Sequence, residues 1–297
     1  MTAARVTIII PTTCEARRSA ALGRAIDSIL GTADTPPTIL LVVNGSRYDA
    51  ELLERLRQDA RLQVVYESVG SLPRALRIGR DAVRTEYFGF LDDDDEYVGD
   101  AVTVRRRHLD EHPDVDVVVC NGLREHHGQD QPFLTEFAGA AREPLQAMTR
   151  ANWLASCGAM YRSARVTADF FDERFKYLEW TLLGFKLAAT RRLAFIDQPT
   201  FRINDTPESL SKSEAYEISQ AQVLEEILRL ALPADVQRAI RRKLASAHHT
   251  LSDHYRAQGH WKQAWGHHLK SLRLPGGLAY LGYSRRLFGN SRPQVKP

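Results

Sequence analysis

Tyr87-Phe88-Gly89-Phe90-Leu91 runs straight into Asp92-Asp93-Asp94-Asp95. A short apolar run bounded by charge reads as a buried strand. Four adjacent carboxylates repel one another, and folding alone has no use for them. A strand ending in such a cluster puts carboxylates at the rim of a sheet, where open α/β sheets bind ligands. Hard divalent cations such as Mg²⁺ or Mn²⁺ prefer carboxylate oxygen. A cation there would offset the repulsion and mark a place for phosphate. A solvated acidic loop, or the acidic first turn of a helix, would produce the same string with no ligand at all.

Upstream, Val6 to Ile10 is a continuous β-branched run, and Ile39 to Val43 is a second, ending at the turn signal Asn44-Gly45-Ser46. Leu62 to Tyr66 reads as a third strand and Val115 to Cys120 as a fifth. Between them, Leu22, Ala25, Ile26 and Ile29 recur at helical spacing, as do Leu72, Ala75, Leu76, Gly79 and Val83. Strands alternating with helices predict βαβ units, a mostly parallel sheet and right-handed crossovers. Asn44, the Ser68-Val69-Gly70 loop and the aspartates should then converge on one edge. From about residue 125 to 150 the pattern fades and reads as loop. Leu178, Leu182 and Phe185 suggest a helix, and Leu193 to Ile196 a short strand. From residue 213 the pattern is entirely helical, with a hairpin centred on Gly259 whose core would include Trp261 and Trp265. The expected organisation is a sheet-containing domain over 1–212 and a helical extension over 213–297.

The 297 residues carry a net charge of only +3, too weak to argue for nucleic acid. Arg285, Arg286, Arg292 and Lys296 are interleaved with apolar residues near the C-terminus. That segment either touches an anionic membrane surface peripherally or is a solvated basic end. Cys14, Cys120 and Cys157 are too few and too scattered for a disulfide framework. No apolar run approaches the ~18 residues of a membrane helix. The expectation is a cytoplasmic protein.

Five segments in order resemble the family 2 glycosyltransferases, over residues 5–211. They are Ile8-Ile9-Ile10-Pro11-Thr12 with the helix that follows, Val42-Val43-Asn44-Gly45-Ser46, and Gly70 through Gly79. Phe90 to Asp95 and Phe171-Asp172-Glu173 with Tyr177-Leu178-Glu179-Trp180 complete the set. The resemblance implies the GT-A fold, a Rossmann-like, mostly parallel sheet flanked by helices. It implies an inverting, metal-dependent transfer of a sugar from a nucleotide-diphosphate donor, of UDP type, to a glycan, lipid-linked or other acceptor. It also implies Asp94 as metal ligand, with Asp92 sharing the metal or reaching the ribose, Asp93 beside the donor, and Asp95 behind them. Glu179 would be the catalytic base.

Pro11, Thr12, Thr13 and Glu15 follow the first strand, where the family binds nucleoside; a turn-and-cap role is the alternative. The family usually has an acidic residue where Val43 stands, so base recognition falls to Asn44 or to backbone. Arg74 and Arg77 lie one helical turn apart; they pair with the diphosphate or are solvated surface. Ser156 and Gly158 would sit in a close-packing loop beside the donor sugar or in a plain turn, and with Trp180 they would form the acceptor side. Arg202, Ser209 and Ser211 would form a flap over the diphosphate, with Asn204 where the family often has a metal- or phosphate-holding His. The family's processive polymerases carry a Gln-x-x-Arg-Trp motif and membrane helices, and the chain has neither. A sugar nucleotidyltransferase would need a Gly-rich phosphate loop where Pro11-Thr12-Thr13-Cys14-Glu15 stands. A scaffold binding a partner through the hairpin would leave the aspartates unexplained.

Overall fold

A computed structural model describes residues 4–126, 128–204 and 214–288. The chain divides into two compact units, Met1–Glu208 and Ser209–Pro297. In the first, β1 (Val6–Thr12), α1 (Ser19–Gly31), β2 (Thr38–Asn44), α2 (Ala50–Gln58), β3 (Leu62–Glu67), α3 (Leu72–Ala82) and β4 (Tyr87–Phe90) alternate as the periodicity predicts. There follow β5 (Glu96–Tyr97), α4 (Ala101–Glu111), β6 (Val117–His126), β7 (Gln129–Pro132), α5 (Phe137–Arg142) and α6 (Pro144–Met148). The unit closes with β8 (Ala159–Arg162), α7 (Glu179–Thr190) and β9 (Leu193–Ile203).

Among the described residues the strands form one sheet in the order β3-β2-β1-β4-β8-β6-β9-β5, with β7 paired to β6. From β3 to β4 every pairing is parallel. Beyond β4 the sheet is mixed: β8 runs antiparallel to both β4 and β6, and β6 pairs with β9 in parallel. β8 is a four-residue strand entered from a turn rather than from a crossover helix, so nothing forces it parallel. The segment read as loop holds β7 and the short helices α5 and α6, elements too brief to show a period.

Two steps of this topology position the rim. From β1 the chain winds to β2 and β3 on one side, then returns to place β4 on the other. The carboxyl ends of β1 and β4 therefore flank a topological switch point, the crevice where such sheets bind ligands. Helix α3 lies close against β1 and β2, and Gly79 permits it: a Cβ there would fall 2.5 Å from Ile9 Cγ2. On the same face Phe90 meets Phe171 at 5.2 Å and the Trp180 ring at 5.4 Å, which fixes the start of α7 beside the end of β4. On the opposite face Ile8, Ile10, Leu41 and Val43 pack with Leu22 and Ile26 of α1.

In the second unit, α8 (Glu214–Ile227) precedes a hairpin of α9 (Ala234–Ala257) and α10 (Trp261–Leu272), then a 3₁₀ segment (Gly277–Tyr283) and α11 (Ser284–Phe288). The hairpin seam is made of small residues. Ser252 Oγ donates to Ala264 O at 2.8 Å, and Ser271 Oγ donates to Ala245 O at 2.7 Å. Trp261 and Trp265 are only half-buried rather than core, because helices this close leave no room for an indole between them. Arg292, Lys296 and the flap residues Ser209 and Ser211 lie outside the described residues.

Candidate active site at the sheet rim

The four aspartates do not share one environment. The Asp95 amide donates to Asp92 O at 3.1 Å, which closes a tight turn and sends alternate side chains to opposite sides. Asp93 and Asp95 point inward and are buried. Asp92 and Asp94 are half-buried, with 21% of the Asp94 side chain exposed.

Asp93 is held by two side chains. Thr12 Oγ1 donates to it at 2.5 Å, and Arg18 Nε lies 3.0 and 3.1 Å from its two oxygens, with a further bond from Arg18 Nη2. The same guanidinium reaches Asp94 at 3.1 Å. Arg18 thus places a guanidinium directly against the buried Asp93 side chain. It ends a single 3₁₀ turn, Ala16–Arg18, between β1 and α1, and no sequence spacing ties it to residues 75 positions away. The available signal was the Arg17-Arg18 pair in the first βα loop of a sheet whose rim is acidic.

Asp95 accepts from the Asn204 backbone amide at 3.0 Å, while Asn204 Nδ2 donates to the Asp94 carbonyl at 2.6 Å. Burial and the charges of Asp92 and Asp94 raise the Asp95 pKa well above the carboxylate range. Asp92 accepts from Ser156 Oγ at 2.7 Å; burial, then the like charge of Asp94, push its pKa up to about 7. Glu179 opens α7. Its pKa is also pushed up to about 7, chiefly by burial, with the charge of Asp92 adding to the shift. A cavity of about 10 Å³, room for one water, lies beside Glu179 and Trp180, walled by Pro73, Leu76, Phe171 and Leu183. Among the described residues, two non-glycine residues have positive φ, Cys14 at 53° and Leu178 at 62°. One follows β1 and the other immediately precedes Glu179. Such strain, of order 1–3 kcal/mol each, is held at sites where geometry matters more than comfort.

The remaining residues fall into four groups. Asn44 is buried and its amide ties the rim together, donating to Thr12 O at 3.1 Å and accepting from the Ser71 amide at 3.1 Å. Gly158 lies in the floor: its carbonyl accepts from the Cys120 amide at 2.8 Å, and a Cβ would meet Phe201 and Ala155 at 3.3 Å. Pro11 is buried in β1, Thr13 is half-buried beside it, and Glu15 pairs with Arg17 at 2.8 Å and Arg47 at 3.3 Å. Arg74, Arg77 and Arg202 are paired with carboxylates: Arg74 meets Glu67 at 3.0 Å, Arg77 meets Asp169 at 3.9 Å, and Arg202 pairs with Asp130.

Among the described residues no group of three His, Cys, Asp or Glu side chains is arranged to hold a metal. The His108 and His112 rings stack on each other at 4.1 Å on the surface of α4.

The family model described as "Glycosyl transferase family 2" matches residues 7–165. A curated relative, the "Uncharacterized glycosyltransferase EpsJ" of Bacillus subtilis (strain 168), is 28% identical over 207 residues, which are 63% of this chain and 58% of that protein. The crystal structure of S. aureus TarS superposes with a TM-score of 0.60 at 19% identity, covering 82% of this chain and 43% of that one. TarS 1-349 in complex with UDP-GlcNAc gives 0.61 at 18% identity, covering 83% and 72%. At these identities the structural likeness establishes the fold.

Proposed function

The chain belongs to glycosyl transferase family 2, and from that premise we propose that it transfers single sugars, with inversion, from a UDP-type nucleotide-diphosphate donor to a hydroxyl of a glycan or lipid-linked acceptor. The observation that carries the proposal is the pair Glu179 and Asp92: two carboxylates at the switch point, each with a pKa near 7, the charge of Asp92 adding to the shift of Glu179. A carboxylate with a pKa near the working pH is a competent general base. Glu179 takes the proton of the acceptor hydroxyl as that oxygen bonds to the anomeric carbon. The bond from that carbon to the diphosphate oxygen breaks on the opposite face, so one displacement inverts the centre.

The residues present fit a divalent cation of the kind completed by substrate. Mg²⁺ and Mn²⁺ are commonly held by one or two carboxylates with the other positions filled by phosphate and water. Asp94 with Asp92 would hold it; burial and then the like charge of Asp94 raise the Asp92 pKa, and a dication would relieve that repulsion. When bound it would neutralise the departing diphosphate. Thr12 and Arg18 keep Asp93 turned inward, so Asp92 and Asp94 face the open side. A UDP-type donor is supported by the UDP-GlcNAc complex of the structurally similar TarS. We place catalysis in the sheet unit, treat the helical unit as an appendage, and assign the protein to the cytoplasm with peripheral membrane contact; among the described residues no helix is long and apolar enough to cross a membrane.

The test is incubation with UDP-sugars, Mn²⁺ and a panel of acceptors, with the product's anomeric configuration read by NMR. Inverted product is expected. Retained configuration, or donor hydrolysis indifferent to acceptor, contradicts the single displacement.

A further inference from the structure

From His254 to Pro297 the sequence carries eight lysines and arginines and no aspartate or glutamate. The preceding 253 residues carry 32 basic and 37 acidic side chains, so the whole positive excess of the protein lies in this stretch. Apolar exposure concentrates in the same place. Of the six large hydrophobic side chains exposed among the described residues, four are here: Leu269, Leu278, Leu281 and Phe288, at 46%, 72%, 57% and 79% exposure.

These four have an order. Phe288 of α11 lies edge-on to Trp265 of α10 at 4.7 Å, and Leu269 follows Trp265 by one helical turn. Leu278 and Leu281 are three apart in a 3₁₀ segment, where such side chains eclipse and share a face. Exposed Lys270, Arg273, Arg285 and Arg286 are interspersed among them. A soluble surface normally scatters its apolar residues singly, and clustered ones edged by charge mark a contact.

We propose that this face of the helical unit docks on an anionic lipid bilayer. Leu278, Leu281 and Phe288 would enter the headgroup–acyl boundary while the lysines and arginines meet lipid phosphates. Interfacial anchors combine these two features, cations for the surface potential and Leu or Phe for the hydrocarbon edge. Nucleic acid would satisfy the cations and leave the leucines in water. A second copy in a symmetric dimer would bring the same cations against themselves. The inference goes beyond the proposed transfer reaction and does not depend on donor chemistry.

The test is co-sedimentation of the full chain with vesicles of phosphatidylcholine alone and of phosphatidylcholine mixed with phosphatidylglycerol. Binding to the anionic vesicles alone, weakening as salt rises, is expected. The double variant Arg285→Ala/Arg286→Ala should bind at least tenfold more weakly, since each cation near such a surface is worth about fivefold. Leu278→Ser/Leu281→Ser should lose about tenfold as well. All four side chains are exposed, and unchanged melting curves would show that both variants fold. Three results overturn the inference: no binding to anionic vesicles, arginine dependence without leucine dependence, or a dimer in light scattering that Leu278→Ser/Leu281→Ser dissolves. UDP binding with Mn²⁺, measured on the same preparations, reports on the catalytic reading separately.

Discussion

The rim of the sheet and the basic face of the helical unit both crowd like charge, and they keep it in opposite ways. At the rim, four consecutive carboxylates are packed into one tight turn. Two are buried outright, Asp92 and Asp95 are pushed toward their neutral forms, and Arg18 offsets Asp93. In the helical unit, cations stand in water beside exposed leucines. Buried like charge costs folding free energy and persists where something else depends on it. Exposed like charge costs little and sets what the surface attracts. The first arrangement describes a site, the second a face.

Changes at the rim should therefore be large and changes on the face small. Glu179→Gln should cut kcat by about 10²–10⁴ with UDP affinity little changed. In the unaltered enzyme turnover should climb with pH through about 7 as Glu179 loses its proton. A Gln variant at full rate would remove the rim from catalysis. Arg18→Ala leaves Asp93 buried without its cation and should cost about 2–3 kcal/mol, a melting point lower by roughly 5–10 °C. An unchanged melting curve would mean that Asp93 does not need the pairing.

Asp92→Asn should do the reverse to stability. The folded pKa of Asp92, about 7, lies above the ordinary 3.8, so its favourable contribution is complete below pH 3.8 and is lost as pH rises through 7. The asparagine variant, which keeps the neutral form, should match the parent near pH 4. It should melt a few degrees higher at pH 8, for a gain on the order of 1 kcal/mol. A gain of the same size at both pH values would rule out carboxylate ionisation as its origin. Arg285→Ala/Arg286→Ala should change stability by no more than about 0.5 kcal/mol, because both are exposed. A larger loss would make the face structural and blur the contrast.

The two regions also differed in how far they could be read from sequence. β1, β2 and β4 were legible because a strand buried on both faces is an unbroken apolar run, and the order of the βα units placed their ends together. The half of the sheet beyond β4 was not. β8 is four residues, Ala159–Arg162, hidden behind a Ser-Cys-Gly turn, and β9 continues to Ile203 through Asp197, Gln198 and Pro199, which break the apolar pattern. Its register against β6 shifts at that point. Asn44 was readable as a rim residue, but its commitment to Thr12 and Ser71 depends on the approach of β1, β2 and α3, which no local pattern encodes. Arg18 escaped for the same reason. Glu179 was legible as an acid at a helix start, whereas its desolvation comes from Phe90 and Phe171 fixing Trp180, a tertiary fact.

In the proposed site Asp92 and Asp94 grip a cation that in turn grips the donor's diphosphate. Calorimetric titration of UDP into the protein, with Mn²⁺ and then with a chelator, tests it most directly when repeated on Asp94→Ala. Mn²⁺ should tighten UDP binding about tenfold or more in the parent and not at all in the variant, with the variant still folded. Equal UDP affinity in the parent with and without the metal would contradict it.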